Sequence, residues 1–441
     1  MSTATNNRLS LGESLRNKAF YFLDKFKKNS VQGMMNDMLV WEINQNREYH
    51  LQQRLFEFIK EATVTTPYYR KFQNTTSLTS FPVMKKIEII KNALYIRSVS
   101  YSDTETVAVH TSGSYGTPCS FYLSKTKKRR QWAEVLYYGA QSGYQVGVKH
   151  GYFRSNPPKS RLKFYLQNEY FFASKILDDT FAEKARQQLL SKKIKTIIGF
   201  PSAIAYLAAY SLKCEDKASS FSIEGIISCS ENLTRQHREL IEKAFGVAVH
   251  NRYSTEELGV LGYQYEKDGV IHLNTAHYIF EILHLDRDEP VKKGELGRIV
   301  VTDLYSDAMP LIRYETGDLA VLEAVFTAQP TWATKLKFFS GRSVQVLLST
   351  DDKQLYPLYF DTIMDNYPYF VQYQLIQESK QQFVINLVPN FDFKEEGFNK
   401  QSFSDSFKEW LGQEAEIKIQ FQNDIEKLPS GKRPYVINRL N

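Results

Sequence analysis

The chain has 441 residues, of which 42% are hydrophobic and 24% are charged, as expected of a globular protein with two or three folding units. Lys and Arg outnumber Asp and Glu by 56 to 49, and the net charge of +7 excludes neither a small anionic ligand nor nucleic acid. The three cysteines lie far apart, without the paired spacing of a zinc or redox motif, and predict a reduced, cytoplasmic compartment.

The N-terminal region predicts an amphipathic helix. From Leu15 to Lys28, apolar residues recur at helical spacing among basic residues. Such a helix usually packs on its own protein, and the alternative is a peripheral contact with an anionic membrane surface. No apolar run approaches the roughly 20 residues that cross a bilayer, and Met1 to Ser10 lacks the apolar core of a signal peptide. The sequence therefore predicts no transmembrane segment and leaves a peripheral membrane contact open.

The next segments alternate between helical and strand patterns. Helical spacing continues from Trp41 to Lys60, and Val107 to Leu123 reads as two strands joined by a glycine-rich turn. Helical spacing returns from Lys127 to Tyr138. Between Leu189 and Gly262 helices and strands alternate, which is typical of a parallel sheet covered by helices. After Gly269 short β-rich runs predict a smaller subdomain built of strands.

These patterns predict an α/β protein with two domains. Residues 1–340 form a large, multi-subdomain N-terminal domain, with helix-covered sheets and a small β-rich subdomain. Residues 341–441 contain their own strands and a helix, and form a small α+β C-terminal domain behind a short hinge.

The turn between the two strands of residues 107–123 is rich in glycine and hydroxyl groups. Its sequence, TSGSYGTP, runs from Thr111 to Pro118. Glycine lets backbone N–H groups converge on an anion, and the hydroxyls add donors, so this turn suits a polyphosphate. An ordinary hairpin turn can have the same composition. It is not a Walker A loop, which needs Gly-Lys-Ser/Thr at the start of a helix.

Nine motifs, in order along nearly the whole chain, resemble the adenylate-forming (AMP-binding) superfamily, specifically its branch of phenylacetate–coenzyme A ligases and CapK-like capsular polysaccharide proteins. Each motif alone is weak evidence, but nine in order are specific. They are PYYR (67–70), FPVMKK (81–86), TSGSYGTP (111–118), FPS (200–202), SCSENLT (228–234), RYSTEELG (252–259), PLIRYETGDL (310–319), SGR (340–342) and LPSGKRP (428–434).

The resemblance implies an ATP site. The residues of the glycine-rich loop would cradle the β- and γ-phosphates: Thr111, Ser112, Gly113, Ser114, Gly116 and Thr117. Asp318 would accept hydrogen bonds from the ribose hydroxyls, which a carboxylate suits, and Arg342 would also reach the ribose. The segment beside the adenine and the acyl pocket would be Ser230, Glu231 and Asn232, and Tyr253 from the RYSTEELG motif would also belong to the ATP site. The segment 230–232 could instead be a simple helix cap.

The same resemblance implies two catalytic residues. Glu257 takes the place of the family's Mg²⁺ ligand, and a register shifted by one would nominate Glu256. Lys432 matches the C-terminal lysine that bridges the substrate carboxylate and the α-phosphate, where a cation offsets the repulsion of two anions. Residues 341–441 would then be a lid that rotates between half-reactions.

Other charged residues carry weaker signals. The basic run from Lys125 to Arg130 could supplement the phosphate loop, but such a run at a helix start is usually a solvated face. His272, His277 and His284 do not share one face of their predicted strands, so we expect no histidine metal site there. Lys, Tyr and Phe are spread too evenly to mark a nucleic-acid groove, and we expect no nucleic-acid partner.

The predicted function is ATP-dependent activation of a small carboxylic acid to an acyl-adenylate, followed by transfer to coenzyme A. The implied cofactors are ATP, Mg²⁺ and coenzyme A. One alternative transfers the acyl group to a carrier protein, a protein or a sugar amine in surface polysaccharide biosynthesis. Another is a non-catalytic nucleotide-binding descendant, because Tyr115, Ser254 and the residues after Arg342 differ from the family pattern.

Overall fold

The structure is a computed structural model that describes residues 9–27, 30–75, 77–111, 119–155, 160–265, 268–329, 331–340, 346–390, 393–428 and 432–440. The chain divides into two compact units. Unit 1 is drawn chiefly from residues 14–141 and 252–342, and unit 2 chiefly from residues 142–251 and 343–441. Within the described ranges, no helix is long and apolar enough to cross a membrane.

The elements are labelled in chain order. The helices are α1 (Leu11–Lys25), α2 (Val31–Ile43), α3 (Arg47–Thr65), α4 (Lys86–Lys91), α5 (Ala93–Ile96), α6 (Lys125–Ala140), α7 (Arg161–Gln167), α8 (Asp179–Lys192), α9 (Pro201–Lys213), α10 (Arg235–Phe245), α11 (Leu358–Met364) and α12 (Lys400–Leu411). The strands are β1 (Thr106–Thr111), β2 (Cys119–Ser124), β3 (His150–Arg154), β4 (Glu169–Ala173), β5 (Thr196–Gly199), β6 (Gly225–Cys229), β7 (Val249–Thr255), β8 (Gly259–Gln264), β9 (Ile271–Leu273), β10 (Tyr278–Leu283), β11 (Leu296–Asp303), β12 (Tyr314–Val325), β13 (Ala333–Ser340), β14 (Leu347–Leu348), β15 (Gln354–Leu355), β16 (Phe370–Gln377), β17 (Gln382–Pro389), β18 (Glu416–Phe421) and β19 (Val436–Asn438).

Unit 1 is built around an antiparallel sheet. Its strands are neighbours in the order β10, β11, β12, β13, β9 and β8, and the antiparallel hairpin of β1 and β2 forms a separate small sheet. The core of unit 1 includes the apolar face of α3, where Leu51, Leu55, Phe58 and Ala62 recur at helical spacing and are buried. This sheet contains the β-rich runs predicted after Gly269.

The helical pattern predicted from Trp41 to Lys60 is two helices rather than one. Helix α2 ends at Ile43 and is followed by Asn44, which has an extended backbone. Helix α3 begins after Asn46. The side-chain oxygen of Asn44 accepts the backbone N–H of Asn46 at 2.8 Å. Asparagine stabilises such a turn because its side chain competes with the helical hydrogen bonds. The apolar period is the same on both sides of the break, so periodicity alone did not reveal it.

The first half of unit 2 is a parallel sheet. Strands β4, β3, β5 and β6 are neighbours in this order, and each pairing is parallel. Helices α8, α9 and α10 share one buried apolar cluster with these strands. Gly199 ends β5 with φ near +148°, and a Cβ there would lie 2.3 Å from the carbonyl oxygen of Phe153. Only glycine allows this close approach before α9 begins at Pro201. The predicted alternation of helices and strands is confirmed.

The C-terminal residues of unit 2 form an α+β fold. Strands β18, β17, β16 and β19 are neighbours in this order; β16 and β17 are antiparallel, and the outer pairings are parallel. Helix α12 buries Phe403, Phe407 and Leu411, which are four residues apart. The predicted fold class, a mixed α/β protein with helix-covered sheets and an α+β C-terminal region, is confirmed. The movement of residues 341–441 as a lid stays a prediction.

Arg313 joins three segments of unit 1 in its core. The guanidinium forms two hydrogen bonds with the Glu281 carboxylate, at 3.0 and 3.1 Å, and donates a third to the carbonyl of Phe81 at 2.8 Å. The backbone N–H of Arg313 donates to Thr302 at 3.0 Å. Arg313 also has φ near +50°, a left-handed conformation that is uncommon for a residue with a side chain. The surrounding hydrogen bonds therefore hold this backbone conformation.

We predict that Arg313→Ala strongly destabilises the protein. Removing one partner of a buried pair leaves the Glu281 carboxylate without its cation, which costs about 3–5 kcal/mol. Arg287→Ala is the matched control, because Arg287 is half exposed in its pairs with Asp286 and Glu289 and such pairs contribute about 0–1 kcal/mol. Urea unfolding of the three proteins measures both effects. Equal losses in the two variants would contradict the structural role of Arg313.

Candidate functional site

Asp318 lies beside Tyr253 in unit 1. Asp318 is a half-buried residue of β12, and its Oδ2 accepts a hydrogen bond from the Tyr253 hydroxyl at 2.9 Å. Burial, followed by the charge of Asp318, raises the pKa of Tyr253 well above its ordinary value. Tyr253 therefore remains protonated at neutral pH and acts as a fixed donor to the carboxylate. Thr316 accepts the backbone N–H of Asp318 at 3.1 Å, and Gly317 between them has φ near +82°.

Glu257 lies in the tight turn between β7 and β8 and pairs with a second phenol. Its side chain is 4% exposed, and its Oε1 accepts a hydrogen bond from Tyr314 at 3.0 Å. Burial, then the charge of Glu257, raises the pKa of Tyr314. The neighbouring Glu256 is exposed. Asp318 and Glu257 each act electrostatically on the other's phenol, so the two pairs form one cluster. We call these four residues the phenol–carboxylate cluster.

The glycine-rich loop emerges from a hairpin next to this cluster. The ring of Phe121 in β2 lies 5.8 Å from the ring of Tyr314. Thr111 ends β1 opposite Cys119, the first residue of β2. The remaining predicted phosphate-loop residues lie outside the described residues: Ser112, Gly113, Ser114, Gly116 and Thr117. The described hairpin thus brings both ends of the loop toward Tyr314 and Glu257.

Two residues of the basic run at the start of α6, Lys127 and Arg130, face the core rather than solvent. Lys127 is 1% exposed, and its Nζ lies 2.7 Å from the Asp303 carboxylate. Arg130 lies over the Tyr305 ring at 3.7 Å and contacts His277 at 3.0 Å. The solvated-face interpretation is wrong for these two residues, because the 3.6-residue period of the helix turns them toward the sheet. Their partners show a structural role in the core of unit 1.

Helix α6 also holds the turn that carries Glu257. The Gln131 amide donates to the carbonyls of Glu256 and Glu257 at 3.2 and 3.3 Å. One turn further on, Glu134 Oε2 accepts the backbone N–H of Val260 at 2.8 Å. Helix α6 starts directly after β2, where Ser124 accepts the N–H of Lys127 at 3.0 Å. The same helix therefore connects the hairpin to the Glu257 turn.

His277 is a structural residue of this region. It forms a 2.6 Å hydrogen bond with Glu134, and burial lowers its pKa to about 4 despite that carboxylate. It is therefore neutral at pH 7. No group of three or more His, Cys, Asp or Glu side chains is arranged to hold a metal ion in the described ranges. A divalent cation at Glu257 would take most of its ligands from substrate phosphates and water.

Ser230, Glu231 and Asn232 follow β6 in unit 2, and Glu231 and Asn232 line a small cavity of about 40 Å³. Its wall includes Ser202, Glu231, Asn232, Gln372, Tyr373 and Arg433. Glu231 accepts hydrogen bonds from the Ser202 hydroxyl at 2.6 Å and from the backbone N–H of Arg433 at 3.1 Å. Burial raises the pKa of Glu231, and its hydrogen bonds and Arg433 oppose that shift. Ser230 itself has φ near +72° and is half buried.

Two residues that line the cavity, Gln372 and His237, have buried polar atoms without a hydrogen-bond partner among the described residues. Neither the amide oxygen nor the amide nitrogen of the buried Gln372 is hydrogen bonded, and Nδ1 of His237 is not hydrogen bonded either. His237 Nε2 donates to the carbonyl of Val371 at 2.7 Å. Buried polar groups are usually satisfied, so this cavity suits water or a polar ligand that offers both a donor and an acceptor.

Lys432 precedes Arg433, which several hydrogen bonds hold in place. The Arg433 guanidinium binds Asp424 at 2.7 and 3.0 Å and reaches the carbonyl of Ser174 at 3.4 Å. The carbonyl of Lys432 accepts the N–H of Leu428 at 2.9 Å. Lys432 is half buried, and the PSG part of its motif lies outside the described residues, as does Arg342. The backbone carbonyl of Lys432 and the backbone N–H of Arg433 are thus held by hydrogen bonds within unit 2.

Several partners were missed by sequence reasoning. Tyr314 and Arg433 stand inside motifs that were already recognised, but their side-chain directions could not be read from the sequence. Asp361 had no motif. It is half buried on α11, and its carboxylate accepts hydrogen bonds from Asn232 at 2.9 Å and Tyr373 at 3.0 Å. Desolvation by burial raises its pKa to about 7. An acidic residue is common in the first turn of a helix, so the sequence around Asp361 did not indicate these hydrogen bonds or the raised pKa.

Comparison with known proteins supports the resemblance. Residues 347–439 match the family model of the CapK C-terminal domain. Protein CapK of Staphylococcus aureus is 24% identical over 397 residues, covering 87% of this chain and 85% of CapK. A phenylacetate–coenzyme A ligase of Thermus thermophilus is 34% identical over 104 residues, or 23% of each chain. A crystal structure of 2-hydroxyisobutyryl-CoA ligase with R3-HIB-AMP superposes with a TM-score of 0.70 at 16% identity, covering 90% of both chains.

The chain therefore has the fold of the adenylate-forming acyl-CoA ligases. Within that class it is related to CapK and to the phenylacetate–coenzyme A ligases, and the relationship predicted from the nine motifs is confirmed.

We predict that Asp361 makes the stability of the protein depend on pH. Folded Asp361 keeps its proton up to about pH 7, whereas the unfolded side chain loses it near its ordinary value of 3.8. The folded state therefore binds more protons between these values, and its stability falls as the pH rises from about 4 to 7. Asp361→Asn imitates the protonated acid and removes this contribution.

The measurement is urea unfolding of the wild type and Asp361→Asn at pH 5 and pH 8. The stability of the variant relative to the wild type should rise by about 1–3 kcal/mol between pH 5 and pH 8. Asp405→Asn is the control, because Asp405 is an exposed residue of α12. A pH-independent difference between Asp361→Asn and the wild type would show that Asp361 titrates normally.

Proposed function

We propose that this protein activates a small carboxylic acid with ATP to an acyl-adenylate and then transfers the acyl group to coenzyme A. The phenol–carboxylate cluster carries the proposal: two carboxylates, each oriented by a buried phenol, stand beside the hairpin of a glycine-rich loop. The fold and the relationship to phenylacetate–coenzyme A ligases support the class of reaction.

The cluster fits a nucleotide in its donor and acceptor chemistry. Asp318 accepts a hydrogen bond from Tyr253, and an ionised carboxylate is an acceptor group that would suit the ribose hydroxyls. Thr111 and the loop from Ser112 to Thr117 would surround the β- and γ-phosphates, and Arg342 would reach the ribose. Glu231 and its neighbours Ser230 and Asn232 would border the adenine and the acyl group.

Glu257 would hold Mg²⁺ through a carboxylate that Tyr314 keeps oriented. Bound Mg²⁺ would supply charge that offsets the negative phosphates during the displacement. Glu257 is a better candidate for the Mg²⁺ ligand than Glu256, because Glu257 is held inside the cluster by Tyr314 and Glu256 is exposed.

Lys432 would stabilise the first half-reaction. The substrate carboxylate attacks the α-phosphorus, the bond to pyrophosphate breaks, and an ammonium between the two anions lowers their repulsion. The hydrogen bonds of Arg433 with Glu231 and Asp424 position the chain next to this lysine. In the second half-reaction the thiol attacks the acyl carbonyl and AMP leaves. Rotation of residues 341–441 between the two steps is part of the proposal.

The relationship to CapK supports a second acceptor class. The similarity to protein CapK covers 87% of this chain, and the acceptor in this second class would be a carrier-protein thiol or a sugar amine instead of coenzyme A. The adenylation step is the same in both cases, and only the acceptor differs.

We predict that the purified protein releases pyrophosphate from ATP when it is offered a panel of aromatic and short aliphatic acids with Mg²⁺. Adding coenzyme A should then yield an acyl-CoA, detected by mass spectrometry. Asp318→Asn should raise KM for ATP about 10–100-fold, since one charge-assisted hydrogen bond contributes about 1.5–3 kcal/mol. Pyrophosphate without acyl-CoA would favour the second acceptor class, and an inactive protein that still binds ATP would favour the non-catalytic descendant.

We predict that Lys432→Ala reduces pyrophosphate release by at least about a hundredfold, the order of loss when one electrostatic contact with a transition state is removed. Binding of a preformed acyl-adenylate should change much less, because the lysine acts mainly while charge is shifting. Lys418→Ala is the matched control, since Lys418 is an exposed lysine of the same C-terminal region. Full activity of Lys432→Ala would remove this residue from the mechanism.

A further inference from the structure

Helix α1 turns its apolar side chains to solvent. Leu15, Phe22, Leu23 and Phe26, the last just beyond the helix end, are 61%, 61%, 62% and 76% exposed. At 3.6 residues per turn, Leu15, Ala19, Phe22 and Phe26 fall on one stripe. We call these four residues and Leu23 the α1 stripe. Isolated exposed apolar residues are common, but a continuous helical stripe marks an interaction surface.

The polar side of α1 faces the protein. Asp24 is 1% exposed, and its Oδ2 accepts the backbone N–H of Gln32 at 2.9 Å. Phe20 lies on the same side, with its ring 5.0 Å from the ring of Trp132 in α6. These contacts fix the rotation of the helix about its axis. The α1 stripe cannot turn inward without breaking them.

Basic residues flank the α1 stripe on both sides. Lys18 and Lys25 are exposed along one edge, and Lys27 is exposed beyond the other. At about 100° per residue, the apolar arc spans roughly 120°, with these lysines at its borders. No acidic side chain lies within the stripe, since Asp24 points the opposite way. The surface is therefore an apolar band bordered by positive charge.

We propose that α1 docks the protein on an anionic membrane surface, with the α1 stripe among the acyl chains and the lysines among the lipid phosphates. Long basic side chains beside an apolar arc are the pattern of interfacial helices. A second copy of the chain is a poorer occupant, because two such faces would bring their lysines together.

The test uses the full chain and sedimentation with vesicles. Binding to vesicles with 30% phosphatidylglycerol should be at least tenfold stronger than to phosphatidylcholine alone, and should weaken in high salt. The triple variant Leu15→Ser, Phe22→Ser, Phe26→Ser should lose at least tenfold in binding. The variant Lys18→Gln, Lys25→Gln, Lys27→Gln should lose about a hundredfold in binding to anionic vesicles, at about fivefold per lysine.

The control variant is Leu94→Ser with Val99→Ser, which removes apolar side chains that are 79% and 66% exposed elsewhere on unit 1. It should bind vesicles within twofold of the wild type. Three results would each overturn the proposal: no vesicle binding by the wild type, undiminished binding by the Leu15, Phe22 and Phe26 variant, or a wild-type dimer that this variant converts to a monomer in light scattering. None of these readouts depends on adenylation activity.

Discussion

The buried ion pair of Arg313 and Glu281 is the interaction on which the site in unit 1 depends. It holds the residue before Tyr314 in a left-handed conformation and links β10, β12 and the segment of Phe81 through one guanidinium. Tyr314 and Asp318 follow within one strand, so their positions derive from this anchor. A buried pair of this kind adds little net stability compared with apolar packing, but it demands one arrangement of the chains around it. It therefore specifies the geometry of the phenol–carboxylate cluster more than it stabilises the fold.

The second unit uses polar groups in a different way. Near the cavity, each of two carboxyl groups accepts hydrogen bonds from two uncharged donors. The donors are Asn232 and Tyr373 for Asp361, and the Ser202 hydroxyl and a backbone N–H for Glu231. Burial raises the pKa of Asp361 to about 7, and burial also raises the pKa of Glu281 in unit 1, although Arg313 opposes that shift. The two carboxyl groups therefore differ in their partners, which are neutral donors for Asp361 and a cation for Glu281.

The sequence predicted the fold class and the parallel sheet of unit 2, because periodicity and glycine-rich turns are local properties. It also placed Asp318 and Glu257 in motifs that the structure brings together. It could not supply their phenol partners, since Tyr253 and Tyr314 meet the carboxylates through long-range packing. The basic run was misread although Lys127, Gln131 and Glu134 recur at the spacing of one helix face, which was a usable signal of a polar inward stripe. The break at Asn44 to Asn46 depended on turn chemistry that apolar periodicity does not report.

Helix α6 has a mechanical consequence. It begins directly after the last residue of β2, and its second and third turns are hydrogen bonded to the turn of Glu257 and to the first residues of β8. A helix is stiff along its axis, so a displacement of the hairpin is transmitted to the Glu257 turn as a movement of one rigid rod. The hairpin and the Glu257 turn would then move together, and a substitution along the buried face of α6 would displace both.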